Sequence, residues 1–157
     1  MKNLLIILLL LSSCSPFRSM RVKTFPYTTG GKTNILPLLV PNKFSKAENV
    51  RDSSGNEAMV YTYPDGAFLY FANGDTLKEY QPINEAMNVR LPHPAGGWMY
   101  KGMDSSKRLF WREVKQGNLR FGYRNVTPDL EIKFDSSLNY ASYPKLRRRS
   151  MRERLPQ

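Results

Sequence analysis

The chain has 157 residues, one cysteine, one histidine and a formal net charge of +11. A lone cysteine excludes an intramolecular disulfide framework, and one histidine with dispersed carboxylates argues against a metal centre. The charge suggests nucleic acid until it is mapped. Residues 145–157 carry six basic side chains and one acidic, residues 15–32 four basic and no acidic, and residues 33–144 thirteen basic and twelve acidic. The excess therefore lies in the ends, and the body is close to neutral.

The chain opens Met1-Lys2-Asn3 and runs on as eight uninterrupted aliphatic residues, Leu4 to Leu11. One positive charge before a short apolar run is the layout of an export signal. Eight helical residues rise only about 12 Å against a hydrocarbon core of about 30 Å, so the run is too short for a permanent membrane span. Ser12, Ser13 and Cys14 follow.

The stretch Leu11-Ser12-Ser13-Cys14 resembles the lipobox of bacterial lipoproteins, an aliphatic and two small residues before a cysteine. The resemblance covers residues 1–15 alone. It implies cleavage before Cys14, a diacylglycerol thioether on that cysteine, and a membrane-lipid partner. Ser15, where a retention signal of the inner membrane would place Asp, points to the outer membrane. The other reading is an ordinary signal peptide cut near Ser15, which would leave a free or dimerising thiol. Nucleic acid is the least expected partner of an exported chain.

Behind the anchor, residues 14–34 read as a lipidated tether. Ile35 to Pro41 is apolar but punctuated by prolines, so it should cover a core rather than sit mid-sheet. Residues 42–57 read as a polar loop with a turn at Asp52-Ser53-Ser54-Gly55-Asn56. Strand patterns follow at Ala58–Tyr63 and Ala67–Ala72, split by the Pro64-Asp65-Gly66 turn. Ala67–Ala72 is apolar on both parities and should lie centrally. Asn73-Gly74 predicts a hairpin returning through Thr76–Tyr80. Pro82–Met87 could form a helical turn, and Leu91-Pro92-His93-Pro94 an extended loop. Gly97–Met103, Arg108–Lys115 and Asn118–Val126 continue the strand pattern. Asp129–Asp135 alternates Leu130, Ile132 and Phe134 against charged residues and reads as the last strand, with residues 136–144 as a possible edge. The expectation is an all-β domain over residues 35–143, an antiparallel barrel or sandwich of seven to eight strands.

Residues 144–157 read as a basic tail, with Lys145, Arg147, Arg148, Arg149, Arg152 and Arg154. It is either solvated chain or an arm for anionic lipid or another acidic polymer.

Catalytic chemistry finds little support. His93 lies between two prolines, no Ser/His/Asp set assembles, and no cofactor or metal motif is present. Gly30-Gly31-Lys32-Thr33 lacks the upstream glycine, strand and helix of a phosphate-binding loop. Asp65 and Asp75, the one imaginable carboxylate pair for glycan hydrolysis, both fall in turn sequences. A binding surface fares better. With Gln116-Gly117 as a two-residue turn, Lys115 would face Asn118, Glu113 would face Arg120, Trp111 would face Gly122 and Leu109 would face Arg124. Phe110, Val114, Leu119, Phe121 and Tyr123 would form the core side. Trp111, Arg120 and Arg124 are then candidates for sugar rings, anionic headgroups or a protein contact, unless Trp111 merely covers Gly122 or lies under a loop such as residues 88–97. Trp98 and Tyr100 form a second aromatic cluster. The function expected is a non-enzymatic, lipid-anchored accessory or binding module at the outer membrane, partnered by an envelope protein complex, anionic lipid or cell-wall polymer. An enzyme acting on envelope glycans is the alternative.

Overall fold

A computed structural model describes residues 20–29, 31–51, 56–74 and 89–143. Nine strands form two antiparallel sheets, and one helix completes the described chain. Strands β1 (Met20–Thr29) and β2 (Lys32–Pro41) pair as a ribbon. The main sheet holds β3 (Lys46–Arg51), β4 (Glu57–Thr62), β5 (Phe68–Asn73), β6 (Val89–Pro92), β7 (Trp98–Asp104), β8 (Leu109–Gln116) and β9 (Leu119–Val126). Its spatial order is β3-β4-β5-β9-β8-β7-β6, an open sheet rather than a closed barrel. Helix α1 (Pro128–Ser142) and the ribbon lie on one face of it.

Alternation along the central strands builds the core on that face. Tyr61, Leu69, Phe71, Val114, Phe121 and Tyr123 meet Phe25, Leu36, Leu38 and Val40 of the ribbon and Phe134, Leu138 and Ala141 of the helix. Phe71 and Phe121 stack at 6.2 Å, and Phe134 meets Tyr63 and Tyr123 edge-on. The central place expected for Ala67–Ala72 holds: β5 is flanked by β4 and β9, and Leu69, Tyr70, Phe71 and Ala72 are all buried. Phe110, Val114, Leu119, Phe121 and Tyr123 belong to the core side, as their parity requires.

Several boundaries are corrected. The supposed tether contributes β1 and the first residues of β2, so the described strands begin at Met20, ahead of residue 35. The polar loop over residues 42–57 contains edge strand β3, which Lys46 and Glu48 on one face and Arg51 on the other keep charged. Pro92, placed in loop, ends the short edge strand β6. The hairpin after Asn73-Gly74 has no place on β5, because β4 and β9 occupy both its edges and the Gly74 N–H donates to the Asn118 carbonyl. The segments 76–80 and 82–87 lie outside the described residues, as do Cys14 and residues 144–157.

The largest correction is α1. Asp129–Asp135 alternates like a strand, yet Leu130, Phe134, Leu138 and Ala141 also recur at helical spacing, and that pattern wins. Pro128 opens the helix where a missing N–H costs nothing, and Asp129 and Glu131 stand in its first turn, favourable to the dipole. The carbonyl of Thr127 accepts from the N–H groups of Leu130 and Glu131. Ile132, which alternation would bury beside Leu130 and Phe134, is 76% exposed.

Candidate binding face

The face of the sheet turned away from α1 and the ribbon carries the polar and aromatic residues of β6 to β9. Pairing of β8 with β9 sets it. Gln116 pairs with Leu119, so the turn is Gly117-Asn118, and the pairs from Lys115 back to Arg112 shift by two residues from a turn at Gln116-Gly117. A shift of two preserves the faces and changes the partners. Lys115 pairs with Arg120, and Glu113 with Gly122. A bulge between Phe110 and Arg112 interrupts the ladder at Trp111.

Glu113 still reaches Arg120, diagonally across the strands. The Nη2 of Arg120 donates to Oε2 at 2.7 Å and its Nε to Oε1 at 3.3 Å. The Tyr70 hydroxyl donates to the same Oε2. All three residues are buried. Arg120 is therefore a core ion-pair partner on this face rather than an exposed contact residue. Burial, reinforced by the Glu113 charge, pushes the Tyr70 phenol well above its ordinary value. The pair thus keeps a neutral donor beside it.

Arg124, four residues along β9 from Arg120 and opposite Phe68, is half-buried, and its Nη2 atom has no hydrogen-bond partner among the described residues. Desolvation lowers its pKa while Tyr70 and Glu113 act to raise it. Trp111 covers Gly102, its partner on β7, and not Gly122. A Cβ at Gly102 would stand 2.6 Å from the indole Cζ2, whereas at Gly122 the close ring is that of Tyr70.

Towards the β6 edge the face opens. Arg90 pairs with Tyr100 across β6 and β7, and its guanidinium stacks 3.7 Å from the Trp98 ring centroid and 5.9 Å from that of Tyr100. Trp98 is 41% exposed and Arg90 is exposed. Pairing puts Trp98 opposite Lys115, which is also exposed. Sequence reasoning found both tryptophans, Tyr100, Arg120 and Arg124, and one sheet face does unite all five. It missed Arg90, which follows an apparent helical turn and shows its role only once β6 pairs with β7. It also missed Tyr70, hidden in a strand apolar on both parities.

The opposite face has a cleft of about 370 Å³ between α1 and β7–β8, lined by Met99, Lys101, Met103, Phe110, Glu131 and the Arg112–Asp135 pair. The Nη1 of Arg112 lies 2.8 Å from Asp135 Oδ1, which also accepts from the Tyr123 hydroxyl at 2.8 Å. Asp135 is thus engaged in tying the helix to the sheet. Burial and Asp135 together raise the Tyr123 pKa.

The remaining candidates resolve into local structure. His93 is buried in the turn after β6, where Nδ1 accepts from the Ala95 N–H and lies 3.3 Å from Gln116 Nε2. Asp65 accepts from the Ala67 N–H within its own turn, and Asp75 lies outside the described residues. Gly31 belongs to the turn of the β1–β2 hairpin, and Lys32 and Thr33 begin β2. Among the described residues no three His, Cys, Asp or Glu side chains gather as metal ligands would. No described helix is long and apolar enough to cross a membrane.

The chain matches no protein-family model, no curated protein and no solved structure.

Proposed function

We propose that the chain is a lipid-anchored, non-enzymatic accessory protein of the cell envelope, attached through Cys14 at the outer membrane. In this reading it holds an anionic partner, an acidic site on an envelope protein complex or a cell-wall polymer, on the Arg90–Trp98–Tyr100 edge of its sheet. The stack of Arg90 on an exposed Trp98 carries the proposal. Stacking uses the flat face of a guanidinium, whose N–H donors run round its edge, where they suit carboxylate or phosphate. The indole adds contact area at low entropic cost, the usual make-up of an anchor in a protein contact. Glu113 and Arg120 hold the strands behind it as a buried, mutually neutralised pair.

The anchor rests on Lys2, the aliphatic run and Leu11-Ser12-Ser13-Cys14. Palmitate labelling should mark the wild type and not C14A, and equal label would remove the anchor. For the binding edge, cross-linked capture from intact envelopes should recover a partner with the wild type and lose it with R90A/W98A. Equal recovery by both would remove Arg90 and Trp98 from the role.

A further inference from the structure

The Arg90–Trp98 edge depends on one short strand. Among the described strands β6 pairs only with β7, and Pro92, the last of its four residues, has no N–H to donate. The turn that follows closes the pair. There the His93 N–H donates to the Gly97 carbonyl at 3.0 Å, and the Gly96 N–H to the His93 carbonyl at 2.9 Å. The stack of Arg90 on Trp98 joins β6 to β7, so it lasts only while β6 stays in place.

The His93 side chain is built into that turn and is only 5% exposed. Its Nδ1 accepts from the Ala95 N–H at 3.2 Å. Gln116 of β8 brings its Nε2 to 3.3 Å from the same nitrogen and donates to the Ala95 carbonyl, also at 3.3 Å. With Nδ1 an acceptor, the single proton of the neutral ring sits on Nε2, which is buried and has no hydrogen-bond partner among the described residues. A second proton would have to sit on Nδ1, pointing at the Ala95 N–H and the Gln116 amide. A main-chain N–H in a closed turn cannot reverse, and Gln116 can offer its oxygen only by leaving the Ala95 carbonyl. The imidazolium therefore fits only a ring that has left the turn. Its surroundings do not favour the charge either. On β8 it faces the Arg112 guanidinium, and at the end of α1 the Tyr143 ring lies 5.4 Å away, centroid to centroid. Asp135 of α1 is already held by Arg112 and the Tyr123 hydroxyl. Burial first, and then Arg112, keep the docked ring below its ordinary value.

We infer that protonation of His93 opens the β6–β7 turn, frees β6 from the sheet and dismantles the Arg90–Trp98 stack, so that the binding edge holds its partner near neutral pH and releases it in acid. This rests on the binding-edge reading above and adds its regulation. A ring outside the turn titrates near its ordinary value of about 6.5, while the docked ring titrates lower. Below about pH 6.5 the released state therefore binds the proton that the docked state refuses, and acid shifts the balance towards release. One proton is involved, so the ratio of released to docked β6 rises by at most about tenfold per pH unit.

The test is an NMR titration of the full chain from about pH 7.5 down to about pH 5. The Arg90 δ-methylene, held over the Trp98 ring, should resonate upfield of its free value at the start. It should then move towards that value with the midpoint at which the His93 ring protons titrate, while the amide signals of β4, β5 and α1 stay in place. H93Q, which has no such proton to take up, should keep the upfield shift throughout. An Arg90 signal that does not move while His93 titrates overturns the inference, as does an H93Q titration equal to that of the wild type. Loss of all amide signals together also overturns it, since the whole fold would then be unfolding. If H93Q already shows the free Arg90 value at the start, the two wild-type midpoints decide alone. Capture with R90A/W98A separates the two readings. Shared midpoints with undiminished capture leave the pH response and remove the edge from binding, whereas lost capture with an unmoved Arg90 signal leaves the edge and removes the response.

Discussion

Tyr70 lies over Gly122 of the neighbouring strand, so close that a Cβ at 122 would stand 2.6 Å from its hydroxyl oxygen and 2.4 Å from the Arg112 carbonyl. The glycine is the space the phenol needs to reach Glu113. G122A should therefore destabilise the fold by about 1–3 kcal/mol, the usual cost of overpacking. Urea unfolding would show it as a lower midpoint with an unchanged slope. An unchanged midpoint would mean that the phenol has room to move.

The Glu113–Arg120 pair should behave as a buried ion pair whose halves depend on each other. Removing one partner of such a pair costs about 3–5 kcal/mol, while replacing both by apolar residues of similar volume is often close to neutral. E113A should thus be strongly destabilised, and E113L/R120M clearly less so than the single variant. Equal loss in both, by the same unfolding measurement, would argue that the pair is replaceable only by itself.

His93 should make the fold acid-sensitive near neutrality. Burial first, and then the Arg112 charge, hold its imidazole below the ordinary 6.5. The unfolded chain consequently takes up a proton that the native state refuses as pH falls through about 6.5, and stability must fall with it. Above that value the group contributes no pH dependence. Between about pH 7 and pH 5 the wild type should lose more thermal stability than H93Q. Parallel curves would assign the acid response to other groups.

The basic tail should carry much of the affinity for anionic surfaces. Each Arg or Lys near such a surface contributes about 1 kcal/mol, screened within a Debye length of about 8–10 Å. A chain ending at Pro144 should bind phosphatidylglycerol vesicles markedly less at low salt than the complete one, and salt should erase the difference. Unchanged co-sedimentation after truncation would leave the tail without this role.

Two neighbours on α1 give opposite expectations under helix and strand. I132K should shift stability by no more than about 0.5 kcal/mol, as an exposed substitution does. F134A, in the core and against Tyr63 and Tyr123, should cost about 3–5 kcal/mol. A strand would make both residues costly. Thermal unfolding of the two variants separates the cases.

The sequence by itself determined the strand-dominated class and most of the strands from β4 to β9, because alternation and turn chemistry are local signals. It also determined that Phe110, Val114, Phe121 and Tyr123 share a face with the core, since parity survives a two-residue error in register. Tertiary structure decided the rest. Leu130, Ile132 and Phe134 satisfy a strand period and a helix period alike, and only packing of Phe134, Leu138 and Ala141 against the ribbon and sheet chose the helix. Of the ribbon, the sequence showed Ile35–Pro41 as extended chain over a core, the greater part of β2; β1 was illegible because Thr, Pro and Lys are common to tethers and to strands, and its worth comes from what Phe25 covers. The candidate face divided the same way. Trp98, Tyr100 and Trp111 stood out as aromatics, but Arg90 joined them only through pairing of β6 with β7, and Arg120 left the surface only through Glu113 and Tyr70. Cross-strand partnership is a long-range fact, and nothing within a few residues of either partner encodes it.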